Sequence, residues 1–138
     1  MPKTMIRGFE KSAETYDDHA IVQKLSSDYL ADICSKFIKN PKDILDIGCG
    51  TGFTTIALQE YYTDAEYTLC DISEKMVEIA KRKASKGNYI ICDAENYNFK
   101  NSYDLIVSNL AFQWFKNFEF FLGSILLKCE YLVFSILT

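Results

Sequence analysis

Asp46-Ile47-Gly48-Cys49-Gly50-Thr51-Gly52 sets three glycines at alternate positions behind an acid, directly after the apolar pair Ile44-Leu45. Glycine has no β-carbon, so Gly48 and Gly50 permit a sharp turn and let a ligand lie close to the backbone. Gly52 falls where a following helix begins, and the unpaired amides of a helix start face such a ligand. A plain strand-to-helix turn does not need three glycines. Further along, Asp71 closes the run Tyr67-Thr68-Leu69-Cys70, Asp93 follows Ile90-Ile91-Cys92, and Asn109 follows Leu105-Ile106-Val107-Ser108. Four short apolar segments thus each end in a polar group.

The spacing bears on the ligand. A dinucleotide fingerprint reads GxGxxG, with its third glycine one place later than in the GxGxG found here. Asp46 at the loop mouth would repel a pyrophosphate and suits a ligand with an ammonium group or other positive charge. S-adenosylmethionine carries an ammonium and a sulfonium. Asp71 is suited to accept hydrogen bonds from both ribose hydroxyls, as acids at the second strand end do in nucleoside-binding α/β folds. It also reads as a cap before Glu74, but Ser73 can cap while Asp71 binds. Asp93 could accept from an adenine amino group while a neighbouring amide reads the ring. Asn109 would lie beside the reacting methyl.

These groups converge only if the segments form a doubly wound sheet, and the pattern predicts one. Strands are expected at Asp43–Ile47, Glu66–Asp71, Tyr89–Cys92, Tyr103–Ser108 and Tyr131–Leu137. Helices are expected at Phe53–Tyr61, Glu74–Ala84 and Phe118–Lys128, and 93–101 is left irregular. Short, almost wholly apolar strands alternating with helices indicate a parallel sheet covered on both faces. The fold class is therefore α/β, Rossmann-like and mostly parallel, in the order 3-2-1-4-5, with ligands at the carboxyl ends where the winding reverses. Before it, Ile6–Phe37 reads as helical, with Val22, Leu25, Tyr29, Ile33 and Phe37 recurring on one face. Pro41 ends that stretch. The chain is expected to be one domain, 1–138, with residues 1–40 a helical lid and 41–138 the sheet core.

Composition narrows the classes. The 138 residues are 49% hydrophobic and 25% charged, ordinary for a globular protein. A net charge of −4 gives no basic footprint for nucleic acid. Lys81-Arg82-Lys83 reads as a solvated helix end. The five cysteines lack CxxC spacing and His19 is the one histidine. This predicts reduced core thiols, no metal site and a cytoplasmic location. Lys128 and Glu130 interrupt the apolar tail, which argues against a membrane span.

DIGCGTG, Asp71, the segment CDAEN with Asp93, and YDLIVSNL together resemble the class I S-adenosylmethionine-dependent methyltransferases. The flanks RGFEKSAETYDDHAIVQ and SNLAFQWF, with LVFSIL near the end, are similar to the malonyl-carrier-protein O-methyltransferases of biotin synthesis. That resemblance implies that Asp46, Gly48 and Gly50 surround the methionine end of the cofactor. Asp71 with Ile72 would hold the ribose, Asp93 with Ala94 the adenine, and Asn109 would complete the cofactor-binding set. Tyr16 resembles the family's lid tyrosine, although helical spacing with Phe9 and Ala13 also suits a core aromatic. Asn109 and Tyr16 are the candidates for positioning the transfer; no catalytic residue is otherwise identified.

The resemblance further implies S-adenosylhomocysteine as product and a malonyl group on acyl-carrier protein or CoA as acceptor. Two departures stand out. Leu127-Lys128-Cys129-Glu130-Tyr131 replaces the family's PGG turn, and the sequence stops at Thr138, before the family's further helices and C-terminal hairpin. Three functions follow: the biotin-pathway enzyme, another small-molecule methyltransferase, or a non-catalytic cofactor-binding module. The exposed fifth strand predicts self-association.

Overall fold

The computed structural model describes residues 21–84 and 86–138. Its elements run α1 (Ile21–Phe37), β1 (Asp43–Ile47), α2 (Phe53–Gln59), β2 (Glu66–Asp71) and α3 (Glu74–Ala84). They continue with β3 (Asn88–Ile91), β4 (Tyr103–Asn109), α4 (Phe118–Ile125) and β5 (Cys129–Ser135). Short 3-10 turns cover Ala94–Asn96, Phe112–Trp114 and Leu126–Lys128. All strand pairs are parallel, in the order β3-β2-β1-β4-β5. The winding therefore reverses between β1 and β4, where open α/β sheets bind their ligands.

Both faces of the sheet are covered. On one, Ile44, Leu69, Leu105 and Val107 pack with Leu30, Ala31 and Cys34 of α1 and Ala57 and Leu58 of α2. On the other, Leu45, Ile47 and Ile106 pack with Phe112 and with Phe121 and Ile125 of α4. The sheet residues among these are wholly buried, and each such aliphatic side chain contributes about 1.5–3 kcal/mol by leaving water. β1, with neighbours on both sides, is buried from Ile44 to Ile47 and apolar there save Asp46, while Asp43 at its start is exposed.

Pairing sets the strand limits. β5 begins two residues earlier than its composition suggests, because Cys129 lies opposite Tyr103 and Ser135 opposite Asn109. Ile136 and Leu137 fall past the end of β4, where Leu110 turns into the left-handed region at φ 56° and leaves them no partner strand. β3 closes at Ile91, opposite Asp71, although the Cys92 N–H still reaches the Asp71 carbonyl at 3.0 Å. α2 stops at Gln59, and the Tyr61 and Tyr62 amides both turn back onto the Leu58 carbonyl.

The face of α1 is the main surprise. Val22, Leu25, Tyr29 and Phe37, which set the apolar period, point outward, and Tyr29 is 69% exposed. The buried positions are Ser27, Leu30, Ala31 and Cys34. Three of these four side chains are small, which lets α1 approach α2 closely enough for Ser27 and Thr54 to share a 2.8 Å hydrogen bond. Bulky aliphatics on that face would hold the helices apart. The rest of the expected N-terminal helix, residues 6–20, lies outside the described residues. No helix among the described residues is long and apolar enough to cross a membrane.

Candidate ligand-binding site

From Ile47 the chain leaves the sheet through Gly48 at φ 68° and Gly50 at φ 55°, reaching Gly52 at φ 100° as the N-cap of α2. Side chains strain a left-handed backbone, so the turn favours glycine. Two of the glycines have different further reasons. A β-carbon on Gly48 would stand 2.6 Å from the Ala111 β-carbon, whereas one on Gly50 would meet nothing within 4 Å. Gly48 is small for packing; the space beside Gly50 is left for something else.

Two cavities meet at this loop, both lined by Gly48, Gly50 and Asn109. The larger holds about 760 Å³, counted out to solvent, and is lined also by Asp71, Ile72, Met76, Cys92, Asp93, Ala94, Glu95, Trp114 and Phe115. Its few polar groups on apolar walls suit a small organic ligand. The smaller, about 290 Å³, lies towards α1 and is lined by Gln23, Ser27, Cys49, Phe53 and Thr54.

The strand-end acids are held by backbone. Asp71 Oδ2 accepts the Gly50 N–H at 2.9 Å and Oδ1 accepts the Ser73 N–H at 2.9 Å. Ser73 Oγ in turn caps α3 by accepting from the Met76 N–H at 3.3 Å. Asp71 thus braces the glycine loop while facing the larger cavity. Burial raises its pKa, and the Ser73 and Gly50 amides only partly offset this. Asp93 Oδ1 accepts from the Glu95 N–H at 3.2 Å, and Oδ2 from Asn96 Nδ2 at 2.8 Å. Ile72 and Ala94 follow these acids along the same wall.

Asp46 differs. It is 1% exposed, lines neither cavity, and sits behind the loop with Oδ2 accepting the Thr55 hydroxyl at 2.8 Å. Its Oδ1 has no partner among the described residues. Burial pushes its pKa up to about 7 against the opposing Thr55 hydrogen bond.

Asn109 uses its whole hydrogen-bonding capacity inside the protein. Oδ1 accepts from Ser26 Oγ and Ser135 Oγ, both at 2.6 Å. Nδ2 donates to the Gln23 carbonyl at 3.1 Å and to Ser27 Oγ at 3.0 Å. Ser135 also accepts the Leu110 N–H, through its carbonyl at 3.0 Å and its hydroxyl at 3.1 Å. Tyr16 lies outside the described residues.

Several of these partners carry little or no sequence signal. Ser135 ends β5 as Asn109 ends β4, so extending the strand-end rule to the fifth strand would find it. Ser26 and Ser27 give no such signal on a helix whose apolar period points elsewhere. Nor does Glu95, whose two carboxylate oxygens accept the Lys116 N–H at 2.9 Å and the Asn117 N–H at 2.8 Å. Cys70 and Cys92 are side by side on the larger cavity, and the Cys70 thiol holds the Cys92 pKa below its ordinary value. Among the described residues no three His, Cys, Asp or Glu side chains could hold a metal ion. The arrangement can enclose and orient an elongated polar ligand.

Known proteins share this organisation. The chain is 41% identical over 118 residues to malonyl-[acyl-carrier protein] O-methyltransferase 1 of Ilyobacter polytropus, covering 81% of this chain and 42% of that protein. It is 38% identical over 111 residues to the malonyl-[acyl-carrier protein] O-methyltransferase of Acetivibrio thermocellus, covering 79% and 39%. The chain thus spans about two fifths of the length of these curated relatives. Among solved structures, the plantazolicin methyltransferase BpumL in complex with SAH superposes with a TM-score of 0.70 at 26% identity, over 94% of this chain and 58% of that one. An S-adenosylmethionine-dependent methyltransferase from Clostridium acetobutylicum shares the fold, with a TM-score of 0.74 at 24% identity, over 91% and 56%. Residues 44–125, from β1 to the end of α4, match the family described as methyltransferase domain, and the chain belongs to that family.

Proposed function

We propose that this chain binds S-adenosylmethionine along the two cavities and is the cofactor-holding portion of an O-methyltransferase. Its acceptor is the free carboxylate of a malonyl thioester on acyl-carrier protein or CoA, as in the biotin pathway, in the cytoplasm. The observation that carries the reading is the open space beside Gly50, where both cavities meet under a left-handed backbone. The residues present fit this ligand. Asp71 and Ile72 would take the ribose, Asp93 and Ala94 the adenine, and Gly48 and Gly50 the methionine end, with Asp46 behind them. α1, the described part of the expected lid 1–40, would close the site over the sheet core 41–138, and Tyr16 lies outside the described residues. The names of the curated relatives support the acceptor.

When bound, the cofactor supplies a methyl group on a positively charged sulfur. A carboxylate acceptor is already ionised at neutral pH, so the displacement needs no strong base. The work of the protein is to align the acceptor oxygen with the methyl and to exclude water. Trp114 and Phe115 on the rim and the buried apolar sheet beneath supply that dry wall.

Calorimetric titration with S-adenosylhomocysteine should give micromolar binding, roughly −8 kcal/mol. The same ligand should slow alkylation of Cys92, which lines the larger cavity. Saturable NADH binding with no response to S-adenosylhomocysteine would overturn the assignment. Methyl transfer to malonyl-acyl-carrier protein, but not to unrelated small acceptors, tests the substrate.

The edge position of β5 supports a further element of this reading, self-association through that strand. Val133 packs partly against the core, so a charge belongs at the more exposed Tyr131. Tyr131→Lys should shift an oligomer towards monomer in light scattering. A wild-type protein monomeric at high concentration would refute it.

A further inference from the structure

Four contacts join α1 to the carboxyl ends of β4 and β5 through a single amide, the side chain of Asn109. Two come from Gln23 and Ser27, which also line the smaller cavity. Gln23 reaches Asn109 through its backbone carbonyl, so its carboxamide takes no part in that contact. Ser27 is fixed from both sides, by Asn109 and by Thr54 of α2. Leu110, next in the chain, has a positive φ of 56°, and Ser135 accepts its N–H. A left-handed non-glycine residue persists only where its surroundings fix it. Those surroundings are the Ser135 carbonyl and the same Ser135 hydroxyl that donates to Asn109.

With no donor or acceptor left over, the Asn109 side chain has none to offer a ligand. It can, however, decide where α1 sits. α1 walls only the smaller cavity, and the adenine-side residues Asp71 and Asp93 line only the larger one.

We propose that Asn109 is a positioning residue that latches α1 over the glycine loop, so that Gln23 and Ser27 enclose the amino-acid end of the bound cofactor. The inference rests on the assignment of S-adenosylmethionine above and names residues for one end of it. A loosened latch opens the amino-acid end and leaves the nucleoside end as it was. It should therefore separate two ligands that share adenine, ribose and thioether.

The test is to measure S-adenosylhomocysteine and 5′-methylthioadenosine, which lacks the amino-acid portion, against wild type and Asn109→Asp. The aspartate keeps the shape but presents an acceptor to the Gln23 carbonyl and the Ser27 hydroxyl. S-adenosylhomocysteine should weaken by about tenfold or more, a factor worth about 1.4 kcal/mol, while methylthioadenosine stays within about twofold. Equal weakening of both ligands would show a general structural defect and overturn the latch, as would no change in either. If Asn109→Asp does not fold, Ser26→Ala, which removes a donor to Asn109 Oδ1, carries the same test, with the same ligand selectivity expected and equal effects overturning it. Failure of wild type to bind either ligand would refute the cofactor assignment itself.

Discussion

The two sides of the crevice are built differently. At the ends of β2 and β3, carboxylates are held mostly by amides close in sequence: Asp71 by Ser73 and, 21 residues back on the glycine loop, by Gly50; Asp93 by Glu95 and Asn96. At the ends of β4 and β5, one amide and three hydroxyls hold one another, and Ser26, Ser27 and Ser135 reach Asn109 across 83, 82 and 26 residues. The first side forms almost as soon as its own strands and turns do. The second is complete only when α1 has docked, because three of the four partners of Asn109 lie on that helix. Damage to the first should stay local, whereas damage to the second should spread to a helix far away in sequence.

The boundary between the sides offers the largest perturbation. Gly48→Ala drives a β-carbon to 2.6 Å from that of Ala111 on a left-handed backbone. Overpacking of about 1–3 kcal/mol adds to backbone strain of about 1–2 kcal/mol, so melting should fall and S-adenosylhomocysteine binding should be lost. Gly50→Ala has the backbone strain without the clash, and should lose the ligand with much less stability loss. Equal melting losses in the two variants would show that Ala111 yields.

Asp71→Ala removes the acceptor of two backbone N–H groups and should destabilise by about 1–3 kcal/mol for each donor left buried without a partner. Hydrogen exchange should quicken at Gly50 and Ser73 and leave α1 protected. Exposure of α1 in this variant would erase the distinction between the two sides.

Asp46 should govern a pH dependence. Its folded pKa, near 7, lies above the ordinary carboxylate range, so the folded state binds this proton more tightly than the unfolded state does. Stability from this group is therefore highest at acid pH, declines as pH rises from about 4 to about 7, and is level above. Asp46→Asn should remove that decline and melt higher than wild type at pH 8. Parallel melting curves for both proteins from pH 5 to 8 would contradict the assignment.

The smallest effect is expected from Ser135→Ala, which deletes one donor to Asn109, a loss of about 1 kcal/mol. Its signature is faster exchange along α1, with β2 and β3 unaffected.

The same contrast explains what can be read from the sequence. The strands, the glycine turn and the acids at strand ends are local patterns, because an apolar run followed by a turn fixes where its last residue points, and the sheet order follows from how doubly wound folds connect such strands. Asn109 is legible as a strand end, but its occupation by four internal hydrogen bonds is not. Nothing near Ser26 signals a partner 83 residues on. The outward face of α1 is not legible either, because period 3.6 marks a stripe and does not say which neighbour the helix meets. Close packing on α2 and the strand ends selects the small residues instead.

Glu95 joins two loops from opposite sides of the larger cavity, one oxygen on each of the Lys116 and Asn117 amides. That staple ties the rim segment carrying Trp114 and Phe115 to the turn after β3. Under the latch proposed above, arrival and departure of a ligand would depend on the opposite side, at α1. Residence time would be tuned on α1, while affinity for the purine is tuned some distance away, and a change in one rate constant need not be matched by a change in the other.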